Sequence, residues 1–249
     1  MKLNFKPSFL PAIVLSGGLL TMLLRMWLFG IGTDERGLLS VGTFPDVLSW
    51  IFLALMFAVL IYGTRELNEA SKYSFNFPAS LHSAIGTGLG ALGILITSLV
   101  ELLSGAERLG VFSSVLGLFA VAALAFVAYC RNAGMKPNFL FHSFVCIYLM
   151  FHLISNYRIW SAYPQLQTYA FELLAIVFLM LSCYQRAAFD IGQGNRKAYA
   201  FHSLAALFFC IAAIPGSAIG AFYIGSAAWM FTTMCSLKPL RISNKKNEE

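Results

Sequence analysis

The chain has 249 residues, of which 59% are hydrophobic and 11% are charged, and its formal net charge is +6. Soluble domains carry about 25% charged residues, so this composition excludes a water-soluble globule; it also lacks the signatures of disordered, collagen-like and disulfide-rich chains. The remaining class is an all-α, polytopic membrane protein, because helices satisfy their own backbone hydrogen bonds in lipid.

Charged residues and Pro/Gly clusters divide the chain into apolar runs. A run of about 20 residues is long enough to cross a hydrocarbon core of about 30 Å. We predict eight transmembrane helices, at 8–30, 46–63, 79–103, 110–130, 138–157, 167–186, 198–215 and 217–237. Only Ile214-Pro215-Gly216-Ser217, which is typical of a tight turn, separates the last two. Without that break the chain would have seven spans.

The basic residues predict the orientation of these spans. An even number of spans places both termini on one side, and that side then carries most of the 17 Lys and Arg residues. The other side keeps Arg25, Arg36, Arg108 and Arg158. Basic residues concentrate in cytoplasmic loops, so we predict cytoplasmic termini in a multi-pass protein of the cell membrane, of the bacterial inner-membrane type. The lipid bilayer is its main partner, and no nucleic acid is expected.

Ionisable residues in the outer halves of the spans are the candidate ligand-binding site. With a rise of about 1.5 Å per residue, Arg25, His152 and Glu172 lie roughly 20 to 27 Å from the inner side. Asn156 and Glu101 lie nearer the outer interface. Ionisable groups in lipid are costly and normally face the bundle interior with partners. We predict a polar pocket centred on Glu172 with His152 or Arg25; the alternative is a structural ion pair that joins spans 1, 5 and 6.

A short motif at the inner start of the odd spans predicts an internal repeat. His-Ser recurs at 82, 142 and 202, and the even spans end with Tyr or Cys shortly before a basic residue. We therefore predict one transmembrane domain, 1–249, built from four tandem helical hairpins related by an axis along the membrane normal. Their bounds are 7–65, 78–131, 137–186 and 197–238. The alternative is that every inner span start needs similar interface residues.

The recurring histidines, His82, His142 and His202, are a weaker candidate site. If the hairpins surround an axis, the three imidazoles could converge to bind a transition metal or haem, or to relay protons. No metal-binding motif or carboxylate close in sequence supports a metal, so no cofactor is predicted. The alternative is three interfacial histidines that pack between helices.

The glycine-rich segment 88–93 matches G-x-G-x-x-G but lies inside a span. It follows no strand, so it does not predict dinucleotide binding. Gly86-xxx-Gly90 and Gly216-xxx-Gly220 instead predict close contact between helices.

Three function classes fit these patterns. The first is a small permease or a membrane subunit of a transport system with a small-molecule or lipid ligand, which the repeat and Glu172 favour. The second is a sensor or scaffold subunit of a complex with a membrane or cytoplasmic partner. The third is a membrane-embedded enzyme that modifies a lipid or quinone at the inner histidines. No catalytic motif is found, so no catalytic residue is assigned and a non-enzymatic role is favoured.

Overall fold

The computed structural model describes residues 9–32, 39, 42–65, 67, 70–104, 108–162 and 165–238. In these ranges the protein is all-helical, with a short 3₁₀ turn, Leu166–Tyr169, before the seventh helix. The helices are α1 (Phe9–Ile31), α2 (Phe44–Arg65), α3 (Tyr73–Asn76), α4 (Leu81–Leu103), α5 (Arg108–Ala133), α6 (Phe139–Trp160), α7 (Ala170–Asp190), α8 (Arg196–Ala213) and α9 (Gly220–Cys235).

Six of these helices, α1, α2 and α4 to α7, are long and apolar enough to cross a membrane. Their exposed faces carry large apolar side chains such as Leu92, Leu103 and Phe119. Apolar surface of this extent indicates contact with lipid, and the chain is an integral membrane protein. The remaining long helices, α8 and α9, have 18 and 16 residues and correspond to the last two predicted spans.

The predicted break between these two helices is confirmed. α8 ends at Ala213, α9 begins at Gly220, and Gly216 in the turn has a φ of +80°. This left-handed conformation favours glycine. A Cβ at Gly216 would also lie 2.8 Å from the ring of Phe29. The segment therefore forms two helices joined by a turn, and not one kinked helix.

Six helices close into a ring. α4 packs on α5, α5 on α6, α6 on α7, α7 on α8, α8 on α9, and α9 again on α4. The pair α1–α2 packs against the ring at α8. Three of the predicted hairpins thus follow one another around the ring, and the first, diverged hairpin lies beside it.

The ring helices α4, α6 and α8 begin at polar caps but at different points relative to the His-Ser motif. Their N-caps are Ser80, Asn138 and Asn195, each accepting a backbone N–H hydrogen bond from the first turn. His82, His142 and His202 follow these caps by two, four and seven residues. Measured from the start of each helix, their positions therefore differ by up to roughly 7 Å.

Candidate functional site

One end of the bundle holds all five residues of the predicted pocket. This end is where α1, α4 and α6 finish and where α7 and α9 begin. In the predicted topology it is the outer end. We call this set the outer polar layer: Arg25, Glu101, His152, Asn156 and Glu172. The structure divides it into two clusters on either side of the start of α9.

The first cluster surrounds Glu172, in the first turn of α7. This side chain is 5% exposed. Its Oε2 accepts hydrogen bonds from the hydroxyls of Ser217, at 3.2 Å, and Tyr223, at 3.4 Å. Ser217 Oγ also accepts from the backbone N–H of Ile219, at 3.1 Å. The turn before α9 and the first part of that helix thus position the carboxylate.

Arg25 supplies the positive charge near Glu172. It is buried, and it is attracted by both Glu172 and Asp46. Its Nη2 donates to the carbonyl of Thr168, at 3.3 Å, and its guanidinium lies 4.3 Å from the ring centroid of Phe171. Arg25 and Glu172 are not in direct contact, since the direct ion pairs of the described ranges involve other residues. The two opposite charges are therefore near each other but do not form an ion pair.

The second cluster joins Glu101 of α4 to His152 of α6. Glu101 Oε1 lies 3.8 Å from His152 Nδ1, and its Oε2 accepts a 2.6 Å hydrogen bond from Ser114. Asn156 Nδ2 lies 3.2 Å from His152 Nε2. When Nε2 accepts that bond, the proton of a neutral imidazole is on Nδ1, directed at Glu101. The carboxylate is 21% exposed and the imidazole is fully buried.

Two adjacent aromatic residues at the start of α9 connect the clusters. The ring of Phe222 lies 5.0 Å from that of His152, whose other ring neighbour is Tyr148 at 5.4 Å. The next residue, Tyr223, donates to Glu172. His152 therefore pairs with Glu101, and the predicted pairing of Glu172 with His152 is not formed. The prediction used only depth along the helices, which does not fix how each helix is rotated about its axis.

The three recurring histidines do not come together. His82 is exposed, His142 is buried, and His202 is half-buried with its ring 6.2 Å from that of Phe178. Among the residues that the structure describes, no group of three or more His, Cys, Asp or Glu could hold a metal ion.

A second polar cluster lies at the opposite, inner end. We call Arg131, His142, Arg186 and Asp190 the inner basic cluster; all four side chains are buried. His142 Nδ1 lies 2.9 Å from Asp190 Oδ2. Arg131 and Arg186 are the basic residues at the ends of the fourth and sixth predicted spans, and no partner was predicted for His142. The depth comparison used for the outer residues would have found this pair, because α6 begins near His142 and its antiparallel neighbour α7 ends at Asp190.

Arg131 holds three elements together at the inner end. Its Nε and Nη2 donate to Ser83 Oγ of α4, at 3.1 and 2.9 Å. Nη2 also donates to Ser236 Oγ after α9, at 2.9 Å, and Nη1 to the carbonyl of Pro78, at 3.3 Å. A guanidinium suits this position because its five donors project in fixed directions. All these acceptors are neutral, so its charge is not balanced by them.

In comparisons with known proteins, no family model matches the chain, and no curated protein or solved structure matches it either. The functional conclusions below therefore depend on the geometry of the two clusters.

Proposed function

We propose that the protein is a small permease or the membrane subunit of a transport system, and that its outer polar layer binds a small polar ligand. The observation that carries this proposal is that Arg25 and Glu172 are buried together within a membrane protein. The carboxylate–imidazole pair of Glu101 and His152 lies in the same layer. Ionisable residues inside a membrane are costly and commonly mark substrate or ion pathways.

The arrangement around Glu172 supports recognition of a charged or zwitterionic solute. Arg25 and Glu172 attract each other without direct contact, so a ligand with groups of both signs could bridge them. The hydroxyls of Ser217 and Tyr223 already hydrogen-bond to the carboxylate and would hold it in place. Glu101, which is partly exposed, would form the entrance from the outer side, with the buried His152 behind it.

The proposal includes the finer topology. α8 and α9 are the seventh and eighth spans, both termini are cytoplasmic, and the membrane is the cell membrane, of the bacterial inner-membrane type. The distribution of Lys and Arg supports this orientation. The cyclic order of hairpins in the ring supports parallel repeats, as found in some transporters.

The test of this proposal is Glu172→Gln in protein purified in detergent and reconstituted in liposomes. A panel of labelled amino acids, organic acids and inorganic ions is screened for uptake and for a rise in the melting temperature, Tm. For a solute that the wild type transports, we expect Glu172→Gln to retain the ligand-free Tm and to lose both uptake and the ligand-induced rise. Glutamine keeps the shape of the side chain but removes the charge.

Two tyrosine substitutions provide a matched pair. Tyr223→Phe removes a hydroxyl that contacts Glu172 and should weaken binding of the same solute. Tyr184→Phe is the control, because this residue of α7 is 61% exposed. A large fall in the Tm of Glu172→Gln with unchanged uptake by the folded protein would contradict the proposal; it would make Glu172 part of a structural lock.

A further inference from the structure

A small cavity adjoins the inner basic cluster, far from the outer polar layer. Its walls come from α4 to α9 and include both guanidinium groups of the cluster, and it has room for about one water molecule. The lining residues are Thr87, Val127, Arg131, His142, Ser182, Cys183, Arg186, Tyr199, Trp229, Met230 and Thr233. No acidic side chain is among these residues.

The cluster carries more positive than negative charge. Arg131 and Arg186 are close enough to repel each other, and both act electrostatically on His142. Within the part of the chain that the structure describes, Asp190 is the one carboxylate of the cluster, and it pairs with His142. At least one positive charge therefore has no counterpart. Buried charges are normally paired because the desolvation of an isolated charge is costly.

Arg186 has an unused donor at this cavity. It is 4% exposed. Its Nη2 donates to the hydroxyl of Tyr73, at 3.5 Å, and its guanidinium lies 3.3 Å from the ring centroid of Phe77. These contacts stabilise the cation but supply no negative charge. Its Nη1 is buried and has no hydrogen-bond partner.

A second unused donor lies in the same wall. The hydroxyl of Thr233, a residue of α9 that is 4% exposed, is buried and has no partner. A buried polar atom without a partner costs free energy. Two such donors, on different helices and beside an excess of positive charge, indicate an acceptor that is negatively charged.

We propose that this cavity binds a monatomic anion, chloride in ordinary buffers, which accepts hydrogen bonds from Arg186 Nη1 and Thr233 Oγ1. A chloride ion is only slightly larger than a water molecule and fits a site of this size. Phosphate and sulfate are tetrahedra of oxygen atoms and do not fit. The bound ion neutralises the inner basic cluster and joins α7 to α9. This inference does not depend on the proposed transport function.

The experiment measures the Tm of the purified full chain while sodium gluconate is replaced by sodium chloride at constant ionic strength. Chloride should raise the Tm by about 2 to 4 °C in a saturable manner, and bromide should act similarly. Crystals grown in bromide should show an anomalous peak between Arg186 and Thr233. An equal rise when sulfate replaces gluconate, or no rise when chloride replaces it, overturns the proposal.

Two variants assign the effect to the site. Arg186→Gln should abolish the chloride-dependent rise, whereas Arg65→Gln, at an exposed position, should retain it. If Arg186→Gln does not fold, Thr233→Val decides the question, because it preserves shape and removes one donor. If the cavity binds chloride, the Thr233→Val variant should need several-fold more chloride than the wild type for the same rise in Tm. If the cavity holds only water, the Tm of the variant will respond to chloride as that of the wild type does, and the proposal fails.

Discussion

Asp190 and His142 form a buried pair at the inner end, with Asp190 Oδ2 at 2.9 Å from His142 Nδ1. Removing the carboxylate leaves the buried N–H of His142 without a hydrogen-bond acceptor, at a cost of about 1 to 3 kcal/mol. We therefore expect Asp190→Ala to lower the free energy of unfolding by this amount, measured by steric trapping in bicelles.

Two further variants show whether this loss comes from the pair. His142→Phe combined with Asp190→Ala should cost less than the sum of the single changes, because the two side chains interact directly. His82→Ala is the matched control at an exposed histidine and should change stability by less than about 0.5 kcal/mol. If Asp190→Ala is as stable as the wild type, the pair does not stabilise the fold.

At individual positions, the contacts between the predicted site residues could not be derived from the sequence. Counting residues along each helix was the basis for predicting Arg25, Glu172 and His152 in the outer half of the bundle. It did not show that Glu172 would bond to Tyr223, because that contact depends on the closure of the ring between α7, α8 and α9. Tyr223 was missed since a tyrosine near a membrane interface is ordinarily an anchoring residue.

At the scale of helices, the contact between α4 and α9 depends on glycine. A Cβ at Gly93 would lie 2.7 Å from the carbonyl oxygen of Ala221, and one at Gly225 would lie 2.5 Å from that of Leu89. Both obstacles are backbone atoms, so an added methyl group must push the helices apart. We expect Gly93→Ala and Gly225→Ala each to lower the Tm by several degrees.

Gly88→Ala is the control for this prediction. Gly88 belongs to the same helix, and a Cβ there would meet nothing within 4 Å. Alanine has the higher helix propensity, so this variant should melt at the wild-type temperature or slightly above it. Equal Tm values for the alanine variants at positions 88 and 93 would show that α4 and α9 are not in close contact.

The glycine patterns were predicted correctly in one helix and not in the other. Gly86 and Gly90 face Thr232 and Trp229 of α9, as the small-xxx-small pattern of the third span predicts. Gly216 instead forms the turn, and Gly220 begins α9 with nothing within 4 Å of its Cβ position. A spacing of four residues indicates a helical face only where all its residues are helical, and the break at Pro215-Gly216 prevents this.

At the scale of the molecule, the ring explains why the recurring motif does not form a histidine site. Three of the four predicted hairpins follow one another around it. His142 pairs with Asp190, whereas His82 is exposed. Sequence spacing predicted the order of elements; the environment of each histidine depends on helix start and rotation, which the spacing does not encode.

The outer and inner ends of the bundle were assigned from the predicted topology of eight spans with both termini in the cytoplasm. Reporter fusions test this topology most directly. Alkaline phosphatase, which is active only outside the cytoplasm, is fused after Ala162 in one protein and after Lys245 in another. Green fluorescent protein, which reports a cytoplasmic position, is fused at the same two sites in a matched pair. We predict phosphatase activity with no fluorescence at Ala162, and fluorescence with no phosphatase activity at Lys245. Phosphatase activity at Lys245 would contradict the eight-span topology, and its absence at Ala162 would place Glu172 at the cytoplasmic end.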